Sequence, residues 1–223
     1  YRTGAQAAVA AKYMVNKKKI KLGISGAGAQ GRTQLLAFAE VFEIEEAKVY
    51  DISSEALDKY VAEMAPLTKI NITPVTSPEA IFDGTDVIVS VTHAKNKFIK
   101  NEWFKPGQII FPMGSFTECE DVLLMSADRV FVDSVGQTMH RGALKSVVDT
   151  KQFTEDMLTG TIGELVAGKK DGYIKEGERI VCIPIGTGAM DVAVATKVYE
   201  KALELGLGDS YVFNKKTEVE AKK

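Results

Sequence analysis

A doubly wound α/β fold, its sheet mainly parallel and its helices on both faces, is what this 223-residue sequence predicts. Three observations predict it. Short apolar runs alternate with amphipathic ones as far as Thr92, and such alternation implies parallel strands joined by right-handed helical crossovers. Three glycines, Gly26, Gly28 and Gly31, fall between the first apolar run and a helical one. An aspartate, Asp51, closes the second apolar run.

Each element has its own justification. Arg2 to Val15 is an alanine-rich helical pattern, and Ile20 to Ser25 a short buried strand. Gln30 to Phe42 carries Leu35, Leu36, Ala39 and Phe42 on one helical face, and Ala47 to Asp51 is a second strand. Ser53 and Ser54 can cap a helix whose apolar stripe is Leu57, Val61 and Met64. Ile70 to Val75 reads as a third strand, and Ser77-Pro78-Glu79 opens a short helix with a cap, a first-turn proline and an acid. Asp86 to Thr92 is almost unbroken in apolar and β-branched residues, as a strand covered on both faces should be. Further on come strands in Phe104–Ser115, Asp128–Ser134 and Arg179–Gly186. Helices are expected over Cys119–Ala127, Val135–Val148, Thr161–Lys170 with a stop at Gly168, and Ala189–Leu205 with a stop at Gly206. Residues 1–213 form one domain on this reading, and 214–223 a mobile polar tail.

Composition bounds the partners. A formal charge of -2 and a pI near 5.9 give no electrostatic reason to expect nucleic acid or an acidic membrane surface, and Lys17 to Lys19 reads as a solvated helix end. Cys119 and Cys182 lack the paired spacing of a zinc or redox site, so reduced thiols and no metal are expected. No apolar run approaches the ~18 residues of a membrane span, and no basic-then-apolar leader opens the chain, so a cytoplasmic location is expected. A helical pattern that begins at Tyr1 carries the expectation that upstream residues have been removed.

The glycines define a candidate site. Gly26-x-Gly28-x-x-Gly31 follows a strand and opens a helix, the context of a dinucleotide-binding loop in a Rossmann-type fold. Gly26 makes the tight turn, Gly28 admits the pyrophosphate to the main chain, and Gly31 lets helix and strand pack closely. The free N–H groups of Ala29 and Gln30 at the helix start face the phosphate charge. Asp51 stands close to the ~20-residue offset of the carboxylate that binds a ribose hydroxyl. Because a carboxylate repels the extra phosphate of NADP, and Ile52 and Ser53 bring no arginine, the expected cofactor is NAD. S-adenosylmethionine enzymes also combine a glycine-rich loop with a second-strand acid, but the third glycine favours a dinucleotide. The C-terminal strand ends also bring Thr92 and His93, and Met113, Gly114, Ser115 and Phe116, to the ligand crevice. His93 reads as a pocket wall, and His140 as structural or surface.

Several stretches together resemble the ornithine cyclodeaminase and mu-crystallin group: "RTGAQAAVAAKY", "GAGAQGRTQL", "KVYD", "EWFKPGQIIFPMGS", "ADRVFVDS", "IGELVAGKK" and "AMDVAVATKVYEKALELGLG". The resemblance runs in order over nearly the whole chain. It implies a Rossmann domain whose first and last helices belong with a substrate and dimerisation domain built mainly from residues upstream, and a full-length homodimer. It also implies that Arg2 contacts the substrate carboxylate, that the glycine loop and Asp51 contact NAD, and that Thr92 borders the nicotinamide pocket. The implied chemistry is hydride removal from the α-carbon of an amino acid to give an imine. The resemblance implies first a cyclodeaminase, in which ammonia leaves, the side-chain amine closes a ring and the hydride returns, as in ornithine to proline or a close analogue; an NAD-dependent amino-acid dehydrogenase or ketimine reductase, which stops at net oxidation or reduction, is the alternative. One position departs from the pattern. Cyclodeaminases carry an acid-base aspartate after the fifth strand, where this chain has Phe116, and Pro184 stands where they often show serine. Glu118, Glu120 or Asp121 could replace that aspartate from the following loop, but acids there read first as the cap and first turn of a helix, so no catalytic residue is assigned. A binding protein without turnover is the competing class.

Overall fold

The computed structural model describes residues 1–209 and Tyr211. Helix α1 (Arg2–Lys12) leads into strand β1 (Lys19–Ser25), α2 (Ala29–Val41), β2 (Glu43–Tyr50), α3 (Ser54–Thr68), β3 (Ile72–Pro74) and β4 (Val87–Ser90). There follow β5 (Ile109–Pro112), α4 (Asp121–Met125), β6 (Arg129–Val132), α5 (Val135–Thr138) and α6 (Lys145–Asp149). Strand β7 (Gly160–Thr161), α7 (Ile162–Val166), β8 (Ile180–Ile183) and α8 (Gly188–Leu205) complete the order. The chain divides into two compact units, one over 1–187 and the other from Gly188 onward, the latter containing α8. The tail expected over 214–223 lies outside the described residues.

The first unit is a Rossmann-type α/β fold. Its eight strands lie in the order β3-β2-β1-β4-β5-β8-β6-β7, and every pairing is parallel. The reason is legible in the strand residues. Val87, Val89, Ile109, Phe111, Ile180 and Cys182 pack on one face with α1, α2 and α3, whereas Ile88, Ile110, Val130, Val132, Val181 and Ile183 pack on the other. Alternate residues of one strand thus enter two cores, which is why these strands carry consecutive apolar residues rather than an alternating pattern.

Two further contacts set the first layer. Ala7, Ala8, Ala10 and Ala11 of α1 are buried, and a Cβ on Gly4 would stand 2.4 Å from the Thr33 carbonyl oxygen of α2. The alanine-rich helix is therefore a close-packed inner helix.

Some elements differ from expectation. Val135–Val148 is not one helix: Gly142 adopts φ +79° and separates α5 from α6. Strand β2 begins at Glu43 rather than Ala47, because a register shift opposite Ile20/Lys21 breaks the alternation of its acidic start. The turn after Pro78 is a single 3-10 turn, Glu79–Ile81. The last strand, β8, inserts between β5 and β6, and the two-residue β7 had no sequence signal.

Removing glycine from a helix normally gains roughly 0.5–1 kcal/mol. At Gly4 the clash with Thr33 outweighs that gain, so Gly4→Ala should lower the unfolding free energy by about 1–3 kcal/mol in urea denaturation. A stabilised variant would show that the two helices do not approach this closely.

Candidate functional site

The strand order reverses at β1, and the crevice lies beyond the C-terminal ends of β1 and β4. Gly26, at φ +108°, turns the chain out of β1, and its N–H donates to the Tyr50 carbonyl at 2.8 Å. A Cβ on Gly31 would stand 2.1 Å from the Gly26 carbonyl oxygen, so α2 can begin here only with glycine at 31. Gly28 is different. A Cβ there would meet nothing within 4 Å, so the missing side chain leaves space above the main chain. Gly28 is also the N-cap of α2 and offers no side-chain cap; among the described residues the first-turn amides of Ala29 and Gln30 have no partner. An uncapped helix start beside open main chain suits an anion.

Asp51 stands immediately after β2. Its Oδ1 accepts from the Ser53 N–H at 2.9 Å, a local turn, and its Oδ2 accepts from the Ala27 N–H at 2.7 Å. The second bond ties the end of β2 to the glycine loop. Both oxygens keep further acceptor capacity.

Arg32 was not singled out by the sequence. Its guanidinium donates to the carbonyl oxygens of Ala27 and Gly28, pairs with Glu63 at 2.7 Å and lies 5.2 Å from the centre of the Tyr60 ring. The Tyr60 hydroxyl donates to the Gly31 carbonyl at 3.2 Å, and burial pushes its pKa up against the opposing pull of Arg32. Helix α3 thereby holds the loop from one side. Residues about 30 positions apart carry this clamp, so no local pattern announces it.

On the other side of the crevice, Thr92 follows β4 and Met113–Ser115 follow β5. Met113 accepts a hydrogen bond from Gln34 of α2 at 3.3 Å through its sulfur. Met113, Gly114 and Ser115 line a cavity of about 210 Å³ together with Arg141 and Ile185. Between the two strand ends lies Glu118, and here the helix-cap reading is corrected. Glu118 is wholly buried and points inward: Oε1 accepts from Ser90 Oγ at 2.9 Å, from Thr92 N at 3.2 Å and from Thr92 Oγ1, while Oε2 accepts from Gly114 N at 3.0 Å. Burial raises its pKa, and the hydrogen bonds from Thr92, Ser90 and Gly114 work in the other direction. Glu120 accepts from Asn101 N at 2.9 Å, and Asp121 binds Lys97 and Ser146. Nothing local separates these three acids; what separates them is the bridge that Cys119 makes to Ile99. His93, His140 and Phe116 are exposed.

The Ornithine cyclodeaminase/mu-crystallin family model matches residues 1–206. The chain belongs to this family. It is 32% identical to the alanine dehydrogenase of Archaeoglobus fulgidus over 95% of its own length and 66% of that protein's. The structure of Thermococcus litoralis Δ(1)-pyrroline-2-carboxylate reductase in complex with NADH and L-proline superposes with a TM-score of 0.89 at 31% identity, covering 94% of this chain and 66% of that one. The iminosuccinate reductase of Paracoccus denitrificans in complex with NAD+ gives a TM-score of 0.84 at 30% identity, covering 93% and 64%. The chain thus spans slightly less than two thirds of the length of these relatives.

Arg2, the position at which the family resemblance implies a substrate-carboxylate contact, lies at the C-terminal end of β8. A Cβ on Gly186, whose φ is +92°, would stand 2.3 Å from its Nη1. The Gly186 N–H donates to Asp133 Oδ2 at 2.5 Å, the same oxygen accepts from Gln6 Nε2 at 2.7 Å, and Arg141 donates to the Gly186 carbonyl at 3.3 Å. Two guanidinium groups therefore border one peptide on the edge that also carries the glycine loop.

The two loop glycines should separate experimentally. Gly31→Ala forces a contact with main chain and should lower the unfolding free energy by about 2 kcal/mol or more, whereas Gly28→Ala, in open space and at φ -82°, should stay within about 1 kcal/mol of the parent by chemical denaturation. Equal losses would mean that Gly28 is a packing residue.

Proposed function

We propose that this chain binds NAD along the glycine loop and contributes that cofactor to hydride transfer at the α-carbon of an amino acid. The observation that carries the proposal is the uncapped start of α2 beside the open main chain of Gly28, with the Asp51 carboxylate on the neighbouring strand end. The amides of Ala29 and Gln30 receive the diphosphate. Asp51 keeps acceptor capacity for a ribose hydroxyl while its charge repels the phosphate of NADP. Thr92 and Met113–Ser115 form the wall for the nicotinamide half, and Arg2 forks onto the substrate carboxylate. NAD held by these residues would supply a hydride acceptor for the α-carbon, with loss of a proton from the nitrogen giving the imine, and NADH would supply the hydride for the reverse reduction.

Within this reading, a dehydrogenase or imine reductase is favoured over a cyclodeaminase. Phe116 cannot exchange a proton, and of the three acids that follow it Glu118 is buried with its oxygens bonded to Ser90, Thr92 and Gly114, while Glu120 and Asp121 bind Asn101, Lys97 and Ser146. The relatives at 30% identity or above named here are a dehydrogenase and two reductases. Cyclodeamination of ornithine remains the second reading, on family membership.

Turnover separates them. Protein incubated with NAD and alanine, lysine or ornithine should accumulate NADH with formation of the keto acid or imine; proline formed from ornithine without net NADH would favour the second reading, and NAD binding without either product a pure binding role. Asp51→Ala should weaken NADH binding about tenfold in fluorescence titration and narrow the preference over NADPH. Unchanged affinity for both would mean that the ribose lies elsewhere.

A further inference from the structure

Glu118 is the only acidic residue among the fully buried polar side chains of the described residues. An unpaired buried carboxylate is costly, and Glu118 meets that cost with four hydrogen bonds, all from the rims of β4 and β5. Its own backbone is fixed as well. Phe98 N and Ile99 N donate to the Glu118 carbonyl at 2.9 and 3.0 Å, and Glu120 N donates to Ile99 at 2.9 Å. At Gly114 a Cβ would stand 2.4 Å from Glu118 Oε2, so glycine at 114 and glutamate at 118 are matched.

The arrangement settles the polarity of Thr92. Its hydroxyl proton is committed to Glu118, and its oxygen already accepts from Ala94 N at 3.1 Å, so what remains is one acceptor lone pair. The Gly114 N–H is likewise drawn inward. We infer that Glu118 is a positioning residue that makes the β4–β5 wall an acceptor surface, reading a hydrogen-bond donor on the nicotinamide nucleoside through Thr92. The inference rests on the NAD reading above and adds the group that orients its nicotinamide half. Glu118 does not touch the cofactor, and its burial removes it from proton exchange with a substrate.

Calorimetric titration with two probes, NADH and ADP-ribose, tests this. In Glu118→Gln the amide nitrogen must face a donor: turned to Thr92 it reverses the polarity of that hydroxyl, and turned to Gly114 it opposes the N–H there, so either orientation disturbs the β4–β5 wall. NADH affinity should fall about tenfold while ADP-ribose affinity stays within about twofold. A merely structural role would move both probes together or neither, and either result overturns the inference. Parent protein that binds ADP-ribose but gains nothing from the nicotinamide also overturns it, whereas parent protein that binds neither probe overturns the NAD reading itself. Thr92→Val removes a half-buried hydroxyl and serves if Glu118→Gln does not fold: the same selective loss of NADH is expected, and equal NADH affinity would refute the claim.

Discussion

The contact between Gly31 and the Gly26 carbonyl is the constraint on which the site depends. With a Cβ at 31 standing 2.1 Å from that oxygen, α2 could not start where it does, and its first-turn amides would leave the crevice edge. The short passage from β1 into α2 sets everything beside it. It places the Ala27 N–H against Asp51 and the Ala27 and Gly28 carbonyls against Arg32, so the loop is fixed on both sides before any ligand arrives. Such preorganisation limits the ordering cost of binding.

A second regularity runs along the same edge. Three carboxylates each accept a backbone N–H from a loop that leaves the sheet: Asp51 from Ala27, Glu118 from Gly114, and Asp133 from Gly186. Hydrogen bonds to an ionised acceptor are stronger than neutral ones, and here they do what no strand pairing can do beyond the ends of the strands. They fix irregular main chain in a parallel sheet whose C-terminal edge must stay open. At Asp133 one oxygen, Oδ1, is buried without a partner among the described residues, so this tie is the least satisfied of the three.

Family membership and the departure at Phe116 are compatible in physical terms. Hydride transfer requires the nicotinamide and the α-carbon to be oriented, and on the proposed reading the glycine loop, Asp51, Thr92 and Arg2 do that. Ring closure also requires managed proton traffic, and the loop after β5 exposes the phenyl ring of Phe116 at the position where the resemblance implies an acid in cyclodeaminases.

How much of this was legible differs by the kind of signal. The parallel strands, the helix after the glycines and the Asp51 position follow from local rules: apolar periodicity, the steric needs of a tight turn, and a spacing set by one βαβ unit. The sequence by itself therefore determined the fold class and the phosphate-loop candidate. Only the tertiary structure decided that β8 enters between β5 and β6, that Gly142 splits one expected helix, that Arg32 is gripped by α3, and that Glu118 turns inward while Glu120 and Asp121 do not. The physical reason is common to all four. Each outcome depends on which distant groups meet a residue in space, on a carbonyl 29 positions away or a bridge to Ile99, and such partners leave no period in the chain.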